Sequence, residues 1–264
     1  MSWFTTLEER TAARGRLCVG IDPMPSVLEA WGLGRDVAGL EACARGVVEE
    51  LGEQVAVFKP QSAFFEAFGA AGVAVLERVL SDIRAAGALS ILDAKRGDIG
   101  SSMAGYAAAY LDDDAPLAAD ALTVNPYLGV GALAPAIDAA VATGRGLYVL
   151  ARTSNPEGQS LQAGTAQLVI DEITSGNPDW ENAVGVVVGA THADLGCDLT
   201  RFNGSILAPG IGAQGGTVGG LSVRFGAATR LLLPTASREV IGGGRAELSH
   251  RAERLLSQVR GLKS

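Results

Sequence analysis

Eight short apolar runs punctuate the chain, at residues 17–21, 55–58, 89–92, 121–124, 147–151, 184–188, 206–208 and 230–233, and most are separated from the next by a helical segment. The runs are nearly continuous in aliphatic residues rather than alternating with polar ones, the pattern of strands covered on both faces. A parallel sheet is built that way, because each crossover lays a helix across it. Eight such α/β units favour a closed barrel over an open doubly wound sheet. No linker-like stretch interrupts the 264 residues, so residues 1–264 are expected to form a single barrel domain, near the size of roughly 250 residues at which barrels commonly form one domain.

Helical spacing is read over residues 3–14, 36–52, 62–86 with a break at 69–72, 130–143, 160–175, 190–200, 221–227 and 245–262. A further helix, capped by Ser101 or Ser102, runs to Leu111. Polar residues follow the strand ends: Asp22, Lys59, Asp93, Lys95, Asn125, Ser154 and Gln214. In a barrel those ends share one mouth, so residues far apart in sequence become neighbours.

The densest charge lies in ALSILDAKRGDIGSSMAGY, residues 88–106. Period-two alternation puts Asp93 and Lys95 on one side of the strand end and Ala94 on the other, and Gly97 lets the chain turn Asp98 back toward the same mouth. A solvent-exposed ion pair is the commoner fate of a lone Asp-Ala-Lys. Two carboxylates around one lysine, fed by a buried strand, point instead to a working site.

A lysine between carboxylates keeps its proton, and paired acids oppose a substrate carboxylate placed beside them. That combination suits a reaction in which a carboxylate departs and the ammonium first stabilises, then protonates, the carbanion left behind. Lys59 could orient Asp93 or a sugar hydroxyl. The same residues are compatible with a Schiff-base lysine, although flanking acids oppose the depressed pKa it needs, and with strand-end acids holding magnesium. Spacing alone does not separate these.

PGIGAQGGTVGG, residues 209–220, is the second feature. Its Pro209, Gly210, Gly212, Gly215 and Gly216 could present backbone amides to a phosphate, with Gln214 adding a side-chain donor and Ser237-Arg238 completing the grip after the last strand. The bland alternative is a flexible loop with an incidental arginine.

Composition narrows the function classes. A net charge of -8 and a pI near 4.9 argue against a nucleic-acid surface, while local basic groups can still hold an anionic small molecule. Cys18, Cys43 and Cys197 have no metal-ligand spacing and read as reduced thiols, and with His192 and His250 the only histidines, no histidine-rich metal site can be assembled. No leader-like or membrane-length apolar segment is present, so a cytoplasmic protein without membrane partners is expected. His192, Arg152 and the scattered Trp3, Trp31 and Trp180 read as structural rather than functional.

LCVGIDP at 17–23, FKPQSAFFEAFG at 58–69, LDAKRGDIGSS at 92–102, DALTVNPYLG at 120–129, RTSNP at 152–156 and PGIGAQGG at 209–216 together resemble the orotidine 5'-phosphate decarboxylases, specifically their longer bacterial subfamily. The resemblance implies a TIM (β/α)8 barrel that converts orotidine 5'-phosphate to UMP in pyrimidine biosynthesis without metal or organic cofactor. It implies a charged network of Lys59, Asp93, Lys95 and Asp98, with Lys95 protonating pyrimidine C6 and Asp93 beside the leaving carboxylate. Asp22 would bind ribose, Ser154 the pyrimidine, and Gln214 and Arg238 the phosphate. A homodimer would deliver Asp98 to the partner's site. Two departures stand out: Ser102 occupies a position where threonine is common, keeping a hydroxyl for a ribose contact, and LPTASR before Arg238 lacks the usual Asn or Gly. The rivals are a magnesium-dependent phosphosugar lyase or synthase on a related barrel, and a non-catalytic phosphate-ligand binder.

Overall fold

In the computed structural model, which describes residues 1–262, eight parallel strands close on themselves in sequence order. They are β1 (Cys18–Ile21), β2 (Val57–Pro60), β3 (Leu89–Arg96), β4 (Ala121–Val124), β5 (Gly146–Arg152), β6 (Val184–Val188), β7 (Ile206–Pro209) and β8 (Leu232–Ala236). The TIM-barrel expectation therefore holds, and β8 pairs with β1 to complete the closure.

Alternation along each strand divides the core in two. Val19 and Ile21 of β1, Phe58 of β2 and Leu122 and Val124 of β4 pack outward against the helices in one large cluster. Cys18, Val57, Leu89, Ile91, Ala121 and Tyr148 point inward and form a second cluster that fills the barrel. The floor is closed by the first helix, Trp3–Arg14, whose Trp3 stands edge-on to Tyr148 at 6.2 Å between ring centroids. Gly146 permits this, since a Cβ there would lie 2.4 Å from the indole. Strands covered on both faces are why the sequence shows apolar runs without alternation.

Several elements differ from expectation. β8 begins at Leu232 rather than residue 230, because Gly226–Leu231 winds into 3-10 turns. Residues 190–200 form turns, not a helix: Asp194 and Asp198 accept hydrogen bonds from the backbone of Gly196 (2.9 Å) and Thr200 (2.8 Å), which diverts the chain from helical pairing. The helix Gly100–Leu111 starts ahead of Ser101 and Ser102, so neither serine caps it. Short helices at Pro25–Ala30 and Arg238–Ile241 are additional. The break expected at 69–72 falls at residues 67–68, between the helices Ser62–Glu66 and Gly69–Ala85. The last helix is Leu248–Arg260 after a 3-10 turn at Arg245–Glu247.

Candidate active site

The C-terminal ends of the strands surround a cavity of about 820 Å³ lined by Asp22, Lys59, Asp93, Lys95, Ser154 and Gln214 among others. Such a volume is ordinary for a site that encloses a mononucleotide-sized ligand. Its floor is two-sided. Lys59, Asp93 and Thr123 rise from β2, β3 and β4, whereas Leu150, Val187 and Leu207 from β5, β6 and β7 give an apolar wall.

Asp93 is the centre of the polar half. It is 8% exposed and accepts four hydrogen bonds, two at each oxygen. Oδ2 takes Lys59 Nζ at 2.7 Å and Gln61 Nε2 at 3.1 Å. Oδ1 takes Lys95 Nζ at 2.5 Å and Thr123 Oγ1 at 3.1 Å. Burial by itself would raise the carboxyl, but the two ammonium charges and their hydrogen bonds outweigh it and hold Asp93 well below the ordinary carboxylate range. Burial likewise opposes the Lys59 charge, and Asp93 and Asp22 overcome it, so Lys59 stays protonated. The site thus holds two ammoniums on one ionised carboxylate beside an apolar wall, where charge interactions are strong.

Lys95 reaches Asp93 by a local distortion. Leu92 pairs with Leu122 and Arg96 with Val124, so residues 93–95 face a single position on β4. Lys95 adopts φ 49°, left-handed backbone that non-glycine residues rarely take. The strand reading had Asp93 and Lys95 on one side by simple alternation; they do meet, through this bulge.

Asp22 follows β1, and its Oδ1 is buried without a hydrogen-bond partner among the described residues, an acceptor aimed at the cavity. Gly20 is fixed by the residue that follows β8, since a Cβ there would come within 2.6 Å of Ser237 Cβ. Ser154 is held from behind: Thr191 Oγ1 donates to its carbonyl at 2.9 Å, and His192 Nε2 lies 2.7 Å from the carbonyl of Thr153. His192 is therefore a brace for the β5 loop. Arg152 is 4% exposed and does not line the cavity.

Of the glycine-rich segment, Pro209, Gly210 and Gln214 face the cavity with Arg238, while Gly212 and Gly216 line a separate groove behind it. The loop spends its own amides. Gly212 N donates to Gly216 O, Gly215 N to Gly212 O and Gly216 N to Gly210 O, at 2.7–3.0 Å. A phosphate held here would meet side chains rather than those three backbone groups.

Asp98 and Ser102 are not brought into this chain's cavity. Asp98 Oδ1 accepts from Ile99 N at 2.8 Å, and Ser102 is exposed on the helix Gly100–Leu111. Arg96 stands at the rim, paired with Glu66 and stacked over Tyr106 and Tyr110. Thr123 and Gln61 are the polar neighbours of Asp93 that motif reading passed over. The signal for Thr123 was available, as it is the inward position after Ala121 on β4.

Residues 15–248 match the model of the orotidine 5'-phosphate decarboxylase / HUMPS family. The chain is 54% identical over 270 residues to the orotidine 5'-phosphate decarboxylase of Salinispora arenicola, covering 98% of this chain and 97% of that one. It is 53% identical over 240 residues to that of Streptomyces coelicolor, covering 88% and 86%. The crystal structure of a Streptomyces avermitilis protein superposes with a TM-score of 0.94 at 51% identity, over 98% of this chain and 95% of the other. The structure of Leishmania donovani OMP decarboxylase gives a TM-score of 0.78 at 31% identity, over 98% of both chains.

Proposed function

The chain belongs to the orotidine 5'-phosphate decarboxylase / HUMPS family, and from that premise we propose that it converts orotidine 5'-phosphate to UMP and CO2 in the cytoplasm, in de novo pyrimidine biosynthesis. The observation that carries the reading is the Asp93 carboxylate, kept ionised between Lys59 and Lys95 at the floor of the cavity. A substrate carboxylate set beside Asp93 is repelled in the ground state, and that repulsion vanishes as CO2 leaves. The C6–carboxyl bond breaks with its electron pair left on C6. The ammonium of Lys95 stabilises that pair and gives it a proton, forming the C6–H bond, and the resulting amine regains a proton from water. Asp22, with its free acceptor oxygen, suits a ribose hydroxyl. Ser154 would meet the pyrimidine, and Gln214 and Arg238 the phosphate, whose binding energy is spent in closing residues 209–220 over the site.

The working unit in this reading is a homodimer in which Asp98 enters the partner's site and Ser102 meets its ribose. Support comes from the position of Asp98 outside its own cavity, beside Ile99 at 61% exposure. Tyr127 (76%) and Leu128 (53%) are exposed on the next loop. The two loops touch, because a Cβ on Gly97 would lie 2.5 Å from the carbonyl of Asn125. An apolar patch of this kind is normally covered by a partner surface.

The test is loss of orotidine 5'-phosphate absorbance with purified, chelator-treated protein. Turnover that survives chelation supports the metal-free reading, whereas turnover restored only by magnesium supports the phosphosugar-type rival. Nucleotide binding without product would make the chain a non-catalytic binder.

A further inference from the structure

We propose that Thr123 is a positioning residue that sets the Lys95 ammonium on Asp93 by holding both ends of the β3 bulge. The inference deepens the decarboxylase reading and rests on it for its activity readout. Thr123 is 1% exposed and is the single β4 position facing residues 93–95 of β3. Its hydroxyl makes two hydrogen bonds of opposite sense. It accepts from the backbone N–H of Lys95 at 2.9 Å and donates to Asp93 Oδ1 at 3.1 Å, the same oxygen that takes Lys95 Nζ.

Each bond answers a problem the bulge creates. Where the β3–β4 register shifts, Lys95 N is bonded by a side chain, Thr123 Oγ1, which ties the bulged residue back to β4. The left-handed φ of 49° at Lys95 is unfavourable for a long side chain and persists only when surrounding contacts impose it. Thr123 is such a contact, and Asn125 N to Arg96 O at 2.7 Å closes the far side of the bulge. Below it the strands are already fixed, because Ser90 N and Oγ both donate to Asp120 Oδ2 at 2.8 Å. The freedom left between these two points belongs to residues 93–95. The hydroxyl also fixes the rotation of the Asp93 carboxylate, directing Oδ1 to Lys95 and Oδ2 to Lys59.

A purely structural threonine would tolerate valine, which keeps the shape and the strand preference but loses both hydrogen bonds. Thr123→Val is expected to lower kcat about 100-fold, the scale on which a misplacement near 1 Å acts, while UMP affinity stays close to wild type. Thr123→Ser, which keeps the hydroxyl, should restore most of kcat. Should Thr123→Val not fold, Thr123→Ala carries the same comparison. Wild-type kcat in the valine or alanine variant would overturn the proposal. So would a serine variant as impaired as valine, or kcat and UMP affinity falling by the same factor. A readout independent of turnover is the Lys95 13Cε NMR resonance, which should shift in Thr123→Val and return in Thr123→Ser. If wild-type protein failed to decarboxylate while that resonance responded as described, the functional reading would fall and the positioning role would stand.

Discussion

Replacing Lys59 by methionine removes one charge from the centre of the site while keeping a side chain of similar length in the barrel. Lys59 is 6% exposed and meets Asp93 at 2.7 Å. Breaking a buried ion pair by deleting one partner costs about 3–5 kcal/mol. Here the carboxylate is not stranded, since Lys95, Gln61 and Thr123 still donate to it. The expected loss therefore lies at the lower end, about 3 kcal/mol out of the roughly 5–15 kcal/mol typical of a domain. The pH dependence has a definite sign. Asp93 is depressed in the folded chain, so its contribution is complete above the unfolded value of about 3.9 and is lost as pH falls through the folded one. Lys59 is raised, so its contribution is complete below the unfolded value of about 10.4 and is lost only as pH climbs through the folded one. The stability gap between wild type and Lys59→Met should thus be flat through neutral pH and narrow on acidification. Urea unfolding followed by tryptophan fluorescence at about pH 7 and at about pH 3, below the unfolded carboxylate value, measures it. A gap under about 1 kcal/mol at about pH 7 would reduce the pair to the worth of a surface one, and a gap that widens at about pH 3 would reverse the sign; either result refutes the reasoning. Turnover should fall about 100- to 1000-fold with the lost electrostatic support.

Lys95→Ala is expected to abolish turnover and leave substantial UMP binding; near-normal decarboxylation in that variant would reject Lys95 as the proton donor. Arg238→Ala should weaken UMP far more than uridine in calorimetric titrations, and equal losses would remove Arg238 from the phosphate grip. Trp3→Ala, by emptying the barrel floor, should cost about 3–5 kcal/mol in denaturant unfolding, with kcat of the folded fraction little changed because Trp3 lies at the opposite end from the cavity.

The barrel was legible because both faces of every strand are apolar, and the acids and bases stood out because they sit where those runs end. Phase was harder. Three consecutive leucines at 231–233 carry no marker of where β8 begins, and the turns of Gly226–Leu231 decide it. The loop at 190–200 has helix-compatible residues, but its aspartates capture their own backbone, a local competition that periodicity does not register. Asp93 and Lys95 were found by spacing, whereas the bulge that joins them depends on β4 and is invisible in β3 alone. Thr123 was marked only by its inward phase after Ala121, and within an apolar run a lone threonine looks like β-propensity until its partner across the sheet is known. The glycines at 212, 215 and 216 advertised free amides that the folded loop uses itself.

Trp3, which seals the bottom of the barrel, precedes every strand in the chain, yet its seat against Gly146 and Tyr148 is made only once β5 has been synthesised. Synthesis and assembly therefore run in opposite order for this piece of chain. The nascent N-terminal helix must wait with its indole uncovered, available to chaperones or to a neighbouring chain. Changes that slow synthesis between Trp3 and Tyr148 would lengthen that waiting period, and so act on yield, before they could touch the chemistry at the other end of the barrel.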